Sequence, residues 1–333
     1  MSTIRTVADL AGVSTATVSR VMNEPGKVRE PTRLRVEAAM RELNFSRNAF
    51  AASLVTQLSN CIGLIVANLS GAFFAPLINK VEEVVSNSGN FLVISCSKDT
   101  RAEVEGALQF LRQRRCDAII LFPAQLTDQD LHAAMSAYPN LVLIHRTAPG
   151  FEQRCIQIDN HAGARLAARY LIDCGHREFG IISGPATNTE SNQRLSGFME
   201  TLAAADIHPP PQLVYEGDFQ LETGRRGMAE LLASNRPFSA VFCLNDQMAF
   251  GALDYCRAVG IDVPGQISIM GFDDVEYSNL VHPRLTTISH PISELAQIAA
   301  EIALRLAASE PVQAAQPLLV PKLMIRDSVR HFR

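Results

Sequence analysis

The apolar and polar positions near the start of the chain follow the period of two short helices joined by a tight turn. Thr6 and Asp9 resemble a capping box that opens the first helix, and Gly12 supplies the permissive backbone of a sharp turn. Ser14 is placed to cap a second helix that begins at Thr15. Such a pair suits the helix-turn-helix that reads a DNA major groove, although a helical hairpin with a solvated polar face fits the same pattern.

The second helix divides into a polar and an apolar face. At about 100° per residue, small, polar and basic side chains share one face and two valines lie opposite. The polar face carries Thr15, Ala16, Ser19 and Arg20, and the apolar face carries Val18 and Val21.

A third helix is predicted to begin at Pro31 and Thr32, with Asn44 as its C-cap. We expect one face of it to complete a three-helix core. That face consists of Leu34, Ala38 and Leu43, with Val36 and Met40 close by.

From residue 61 onward, short continuous apolar runs alternate with helical patterns. The predicted strands are 62–66, 91–94, 118–121, 141–144, 179–183, 240–243 and 267–270, and the predicted helices are 75–88, 101–115, 160–174, 192–205, 222–233 and 246–259. Apolar runs of this kind between helices indicate parallel sheets covered on both faces. Two such sets predict two doubly wound α/β lobes, with a ligand site at the carboxyl ends of the strands, in the cleft between the lobes.

Composition places the chain among ordinary globular proteins. Its 333 residues are 47% hydrophobic, contain no Trp, and are numerous enough for two or three domains. No apolar run approaches the roughly 18 residues of a transmembrane helix, and the polar start does not resemble a signal peptide. The seven cysteines form no CxxC pair, so we expect reduced thiols in a cytoplasmic protein.

Charge is distributed unevenly. The chain carries a net charge of −4, but residues 1–59 hold eight Lys or Arg against five Asp or Glu. A basic amino-terminal segment on an acidic body is typical of a DNA-reading module attached to a ligand-binding core.

Short sequence motifs narrow the class of protein that this pattern predicts. Residues 7–14 (VADLAGVS) and 17–23 (TVSRVMN) closely resemble the DNA-binding headpiece of the LacI/GalR family of bacterial transcription regulators. The resemblance runs from Ile4 to about Val329. Further matching strings are RLSGF at 194–198, GFDD at 271–274 and PRLTTI at 283–288, whereas SGNFL at 88–92, PGFE at 149–152 and IDVPG at 261–265 resemble the galactose-repressor branch of the family.

The resemblance implies a domain organisation. An all-α helix-turn-helix headpiece over 1–46 and a hinge over 47–59 precede an effector-binding and dimerisation core over 60–333. The core is expected to resemble periplasmic binding proteins, with two lobes that each use two stretches of chain. The N-lobe comprises about 60–159 and 291–322, and the C-lobe comprises about 160–290 and 323–333.

The resemblance also implies DNA contacts. Thr15, Ala16 and Arg20 are expected against base edges, with Arg20 on a guanine and Ser14 on a phosphate. Leu54 occupies the hinge position that wedges into the minor groove, although a core leucine of a short helix is the alternative. Arg47 and Ala52 depart from the usual Pro and Arg of the family hinge. The full set of DNA-binding candidates is Ser14, Thr15, Ala16, Thr17, Ser19, Arg20, Asn23 and Leu54.

Sugars are bound by planar polar side chains that pair with adjacent hydroxyls and by an aromatic ring against the C–H surface. The family positions that meet this need in the core are Phe73, Phe74, Arg146, Glu190, Arg194, Phe219, Asn245 and Asp273. Structural alternatives exist: Asp273 could cap a helix, Arg194 could be a salt-bridged structural residue, and the two phenylalanines could be core. Arg146 would also suit a phosphate or carboxylate, so a phosphorylated sugar remains open.

His290 occupies a position that is more often Gln in the family. It lies at a crossover between the lobes, and we interpret it as a surface histidine with satisfied polar atoms.

No catalytic signature accompanies these motifs: GxSxG, HExxH, a P-loop and GxGxxG after the first strand are all missing from the sequence. We therefore predict no enzyme, no cofactor and no metal. The predicted function is that of a homodimeric repressor that binds palindromic double-stranded operator DNA, has no membrane association and responds to a small sugar effector. A purine co-repressor is the alternative ligand class, and a sugar-transport protein or a sugar-metabolising enzyme are the alternative functions.

Overall fold

A computed structural model describes residues 3–45, 58–67, 69, 72–98, 100–123, 126–312 and 318–332. The chain forms two compact units, Met1–Ser59 and Asn60–Arg333, which we describe separately. Leu54, Arg47 and Ala52 of the expected hinge lie outside the described residues.

The amino-terminal unit contains three helices, α1 (Ile4–Ala11), α2 (Thr15–Asn23) and α3 (Glu30–Glu42). Gly12 lies between the first two with a φ of 63°, in the left-handed region that the turn requires. The three helices enclose a small core that includes the fully buried side chains of Val7, Val18 and Val36. The expected turn between two short helices is confirmed.

The start of α1 corrects the sequence prediction. The capping box is formed by Thr3 and Thr6, not by Thr6 and Asp9: the Thr3 hydroxyl accepts from the Thr6 amide at 3.3 Å, and the Thr6 hydroxyl accepts from the Thr3 amide at 2.8 Å. Because this earlier box already fixes the first turn, the helix begins at Ile4 and Asp9 lies within its body.

The predicted inner face of α3 was right for Val36, Met40 and Leu43 and wrong for Leu34 and Ala38. Val36 and Ala39 are buried, whereas Leu34 is 50% exposed and Ala38 is exposed. The spacing 36, 39, 40, 43 follows one helical stripe, and Leu34 lies beside that stripe rather than within it. The helix begins at Glu30 and its C-cap is Leu43, one residue before the predicted Asn44, which has a φ of 46°.

The second unit contains two sheets, each with flanking helices. The first is a five-stranded sheet of β1 (Cys61–Val66), β2 (Phe91–Cys96), β3 (Ala118–Leu121), β4 (Leu141–Ile144) and β5 (Cys155–Ile156), paired in parallel in the order β2-β1-β3-β4-β5. Helices α4 (Phe74–Asn87), α5 (Arg101–Gln113) and α6 (Asp128–Ala137) connect its strands. This sheet with its helices is called the first lobe below.

The second sheet has six strands, and its helices are α7 (Asn160–Asp173), α8 (Thr189–Ala203), α9 (Leu221–Ala233) and α10 (Asp246–Ala258). Its strands are β6 (Phe179–Ser183), β7 (Val214–Glu216), β8 (Ala240–Cys243), β9 (Ser268–Asp273), β10 (Thr286–Ser289) and β11 (Lys322–Met324), in the order β11-β10-β9-β8-β6-β7. Only the pairing of β10 with β11 is antiparallel among these neighbours. These elements are called the second lobe.

The chain crosses between the lobes near its end. After β10 in the second sheet it forms α11 (Ile292–Ala307), which packs on α4 and on strands of the first sheet, and it then returns as β11. The sequence prediction contained neither α6 nor α11. In each sheet the strand order reverses, between β1 and β3 and between β6 and β8, which is where doubly wound folds bind ligands.

Within the ranges described above, no helix is long and apolar enough to span a membrane.

Candidate functional site

The second lobe places a buried arginine at the centre of a polar cluster. Arg194, on α8, donates from Nε to the Asn160 side-chain oxygen at 2.8 Å and from Nη1 to the Leu244 carbonyl at 2.6 Å. Nη1 also donates to Asp273 Oδ1 at 3.1 Å, and the guanidinium lies 3.9 Å from the ring centroid of Phe272. A planar five-donor group held by these partners and stacked on an aromatic face is fixed in orientation.

Asp273 ends β9 in an unusual backbone conformation. Its φ is 118° and that of Asp274 is 57°, so two consecutive non-glycine residues have positive φ. Such backbone strain is concentrated at functional sites. Burial raises the pKa of Asp273 to about 7, against the opposing effect of Arg194 and with a further rise from the negative charge of Glu190.

The first lobe meets this cluster through a histidine at the end of β4. His145 has a φ of 69°, and its Nδ1 lies 3.1 Å from Oε1 of Glu190 in the first turn of α8, at ion-pair distance but outside hydrogen-bond geometry. Burial alone would raise the pKa of Glu190, but the neighbouring charges of His145, Arg194 and Arg146 outweigh it and lower that pKa. Groups from both lobes therefore share one electrostatic environment.

His290 corrects the sequence interpretation. It is 4% exposed rather than a surface residue, because the crossover between β10 and α11 runs between the lobes. Its ring stacks on that of His145 with centroids 4.8 Å apart and planes 6° apart. Both ring nitrogens of His290 lack a hydrogen-bond partner among the described residues, and so does Nε2 of His145.

Three phenylalanines pack around the two imidazoles. The Phe73 ring lies 5.4 Å from that of His290, and the Phe122 ring lies 4.7 Å from that of His145. Phe74 packs edge-on against both phenylalanines at 5.2 Å. The predicted pair, Phe73 and Phe74, thus lies beside the polar cluster, with Phe73 in contact with it.

Phe219 and Asn245 form a second part of the same edge. Phe219 has a φ of 67°, and its ring lies so close to Gly184 that a Cβ there would come within 2.2 Å of it. The Asn245 side-chain nitrogen donates to the Phe219 carbonyl at 3.0 Å, and its oxygen caps α10 by accepting from the Met248 amide at 2.9 Å. The amide of Asn245 is therefore committed to holding the aromatic loop.

Arg146 follows His145 in the chain, but its hydrogen bonds are made outside the polar cluster. Its guanidinium donates to the Leu126 carbonyl at 3.0 Å and to Asp128 Oδ1 at 2.5 Å, at the start of α6. Its charge reaches Glu190 without a hydrogen bond between the two.

The structure thus brings together Phe73, Glu190, Arg194 and Asp273, and it adds His145, Asn160, Phe272 and His290, which the sequence analysis did not select. His145 follows β4 as directly as Asp273 ends β9, so the rule that strand ends carry site residues could have found it. His290 was visible only as a departure from a family pattern. In the described part of the chain, no group of His, Cys, Asp and Glu side chains is arranged to hold a metal ion.

The amino-terminal unit presents α2 as expected. Thr15, Ala16 and Arg20 are exposed, while Val18 and Val21 are buried. Ser14 caps the helix by accepting from the Thr17 amide at 3.2 Å, and its hydroxyl also contacts that of Thr17 at 2.9 Å. Thr17 and Ser19 are partly buried, and the side chain of Asn23 is outside the described set.

An exposed polar helix in a helix-turn-helix unit and a polar cluster between two doubly wound sheets define the class of ligand-responsive transcription regulators. Residues 3–48 match the model of bacterial regulatory proteins of the lacI family, and residues 168–329 match that of a periplasmic binding protein-like domain.

Relatives extend the match to the whole chain. It is 42% identical to the HTH-type transcriptional regulator GalR of Escherichia coli (strain K12), over 99% of this chain and 96% of that protein. The HTH-type transcriptional repressor PurR of Pasteurella multocida (strain Pm70) is 35% identical over 99% of both chains. The lac repressor dimer bound to operator and the anti-inducer ONPF superposes with a TM-score of 0.89, at 29% identity and 99% coverage of both chains. The chain belongs to the lacI family of bacterial regulatory proteins.

Proposed function

We propose that the protein is a sequence-specific DNA-binding repressor whose operator affinity is set by a small sugar or sugar derivative bound between the two lobes of its core. The observation that carries the proposal is the cluster of Arg194, Asp273, Glu190 and His145, which combines side chains from the strand ends and α8 of two lobes. A ligand that contacts both lobes has a different affinity for their different arrangements, and this differential affinity is the coupling energy available for regulation.

On DNA, two headpieces would set Thr15, Ala16 and Arg20 against base edges of two half-sites in a palindrome, with Arg20 on a guanine. Ser14, Thr17, Ser19 and Asn23 would contact the backbone and flanking edges, and Leu54 of each hinge would meet its partner copy in the minor groove. The exposed, polar outer face of α2 supports this assignment.

The domain boundaries follow the same proposal. A headpiece over 1–46 and a hinge over 47–59 would precede a core whose N-lobe comprises about 60–159 and 291–322 and whose C-lobe comprises about 160–290 and 323–333. Effector binding would rotate one lobe against the other, and the hinges would transmit the change to the headpieces.

Homodimerisation is proposed through apolar side chains that the core leaves exposed. Phe91 on β2, at the edge of the first sheet, is 71% exposed, and Leu280 in the second lobe is 69% exposed. The lac repressor structure that superposes on this chain is described as a dimer, which supports the proposal. The dimer would act in the cytoplasm without a cofactor and without catalysing a reaction.

A purine co-repressor is the second candidate effector, favoured by the 35% identity to a PurR protein. The higher identity of 42% to a GalR protein favours the sugar.

The test is a thermal-shift screen of the full chain against neutral sugars, sugar phosphates, β-glucosides and purines, since a ligand that binds the folded state raises its melting temperature. A shift with a sugar that is lost in Asp273→Ala and in the isosteric Asp273→Asn supports the proposal. A shift of the melting temperature with purines alone would favour the alternative that the effector is a purine co-repressor.

The DNA half of the proposal needs a separate measurement. An operator selected from random duplexes should lose about 1–3 kcal/mol of discrimination at one guanine position in Arg20→Ala. Arg41→Ala, on the C-terminal turn of α3, serves as the control and should leave the base preference unchanged. Unaltered base preference in the Arg20 variant would contradict the assignment.

A further inference from the structure

The stacked imidazoles of His145 and His290 carry polar atoms that the protein does not satisfy. Both residues are buried, at 5% and 4% exposure, and three of their four ring nitrogens have no partner among the described residues, while the fourth faces Glu190. A buried polar atom without a hydrogen bond costs about 1–3 kcal/mol. Such atoms at the boundary of two lobes indicate a ligand that completes them.

The charges around the pair are already balanced within the protein. Arg194 is bound by Asp273, and Arg146 is bound by Asp128 and the Leu126 carbonyl. Glu190 adds a carboxylate that faces His145. An anionic ligand would therefore have to displace an internal carboxylate from an arginine, and the carboxylate of Glu190 would repel it.

The imidazole of His290 is uncharged at neutral pH. Burial, together with the neighbouring charges of His145 and Arg194, holds the pKa of His290 well below its ordinary value. A neutral imidazole has one N–H donor and one acceptor nitrogen. The His290 ring is thus a donor–acceptor surface that adds no positive charge for a phosphate, and Nδ1 of His145 already faces the Glu190 carboxylate at 3.1 Å.

We propose that His145 and His290 are specificity-determining residues that restrict the effector to an uncharged polyhydroxylated molecule and exclude its phosphorylated form. This inference rests on the proposed function, because it names the ligand class of the same cleft. Each hydroxyl both donates and accepts, so a row of hydroxyls satisfies the imidazoles in either tautomer and donates to the carboxylates of Glu190 and Asp273. The rings of Phe73 and Phe122 close the apolar side of the pair.

The experiment is calorimetric titration of the full chain with a panel of neutral hexoses, each beside its 6-phosphate, and with hypoxanthine. His290→Phe keeps an aromatic ring for the stack and removes both ring nitrogens. His145→Asn removes the imidazole with its two nitrogens and leaves a side-chain amide in its place. His208→Gln, at a side chain that is 69% exposed in the second lobe, is the matched control. Melting temperature without ligand is measured for every variant.

We expect the wild type to bind a neutral hexose about 100-fold more tightly than its 6-phosphate. His290→Phe should weaken hexose binding by about 10- to 100-fold, the factor that corresponds to one or two buried hydrogen bonds. The same variant should melt at or above the wild-type temperature without ligand, because two unsatisfied nitrogens are removed. A merely structural histidine would instead lower the melting temperature and leave the affinity of the folded protein unchanged.

Equal affinity for the hexose and its phosphate, tight binding of hypoxanthine alone, or undiminished hexose binding in His290→Phe would overturn the inference. Operator binding measured on the same samples separates it from the proposed function. If a hexose alters operator affinity equally in the wild type and in both histidine variants, the regulator stands and the specificity assignment fails. If no compound of any class alters operator affinity, the proposed effector control fails as well.

Discussion

The two lobes contribute different chemistry to the polar cluster between them. The second lobe supplies a buried ionic network in which Arg194 is bound by Asn160, Asp273 and a main-chain carbonyl. The first lobe supplies aromatic rings and His145, whose Nε2 has no partner in the described structure. Preorganised groups hold a ligand's orientation, whereas unsatisfied groups gain most when a ligand arrives. The second lobe thus offers groups that are already fixed in orientation, whereas the first lobe offers a polar atom that a ligand would satisfy.

The largest effect should come from breaking the second-lobe network. Arg194→Met removes the charge that lowers the pKa of Asp273, so this buried carboxyl must take up a proton, and it also removes the hydrogen bonds to Asn160 and the Leu244 carbonyl. Breaking a buried ion pair in this way typically costs about 3–5 kcal/mol. Urea denaturation of the full chain should show this loss. Arg284→Met, at an exposed ion pair with Asp327, should cost less than about 1 kcal/mol. Equal losses in the two variants would contradict the assignment of Arg194 as the centre of the network.

A smaller effect is expected from the aromatic loop of the second lobe. A methyl group at Gly184 would lie 2.2 Å from the Phe219 ring, so Gly184→Ala must displace that ring at a cost of about 1–3 kcal/mol. The displacement should weaken effector binding in titration calorimetry. Gly106→Ala, on a helix of the first lobe with nothing within 4 Å, is the control and should not destabilise the protein. Unchanged effector affinity in the Gly184 variant would remove Phe219 from the site.

His290 should make the stability of the protein sensitive to acid. Because the folded pKa of His290 lies below its ordinary value of 6.5, stability from this group is complete above that pH and is lost as the pH falls further. Each proton taken up on unfolding contributes about 1.4 kcal/mol per pH unit. Unfolding free energies measured between pH 7 and pH 5 should therefore fall less steeply in His290→Phe than in the wild type. If the unfolding free energy falls equally steeply in the two proteins, Glu190 and the other neighbouring charges compensate for the protonation of His290.

The smallest effect is predicted where the first lobe holds its arginine. The Asp128 side chain of the Arg146 pair is 82% exposed, so Asp128→Asn should change stability by less than about 1 kcal/mol. If the effector is uncharged, its affinity should stay within a factor of about two. A large gain in affinity for a sugar phosphate would show that Asp128 masks Arg146 as an anion-binding group.

Local patterns predicted the fold more completely than the site. The Ser14 cap and the buried positions of Val18 and Val21 follow from spacing along one helix, which the sequence contains in full. The predicted burial of Leu34 was wrong because a hydrophobic residue beside a helical stripe has the same local pattern as one within it. Helices α6 and α11 were missed although the sequence contains local signals for both: Thr127 and Asp130 form a capping box before α6, and the buried residues of α11 recur at helical spacing.

The site depends on contacts between distant parts of the chain. Residues 145 and 290 stack only because a crossover near the end of the chain runs past the end of β4, and sequence periodicity holds no information about that meeting. The unsatisfied state of their nitrogens is likewise a property of the packed lobes. Arg194 and Asp273 could be selected because each lies in a string with a known family role, whereas their mutual pairing needed coordinates.

The position of His290 has a mechanical consequence. Its amide donates to the Asp273 carbonyl, and two residues later the chain enters α11 of the other lobe. In the proposed rotation of one lobe against the other, a molecule that touches this ring would act beside a connection between the lobes and not on the tip of either. Near a pivot, a displacement of a fraction of an ångström becomes a rotation, and the rotation grows into a movement of several ångströms at the far end of a lobe. At the proposed site, a small ligand with few contacts would therefore act where a small displacement produces a large movement.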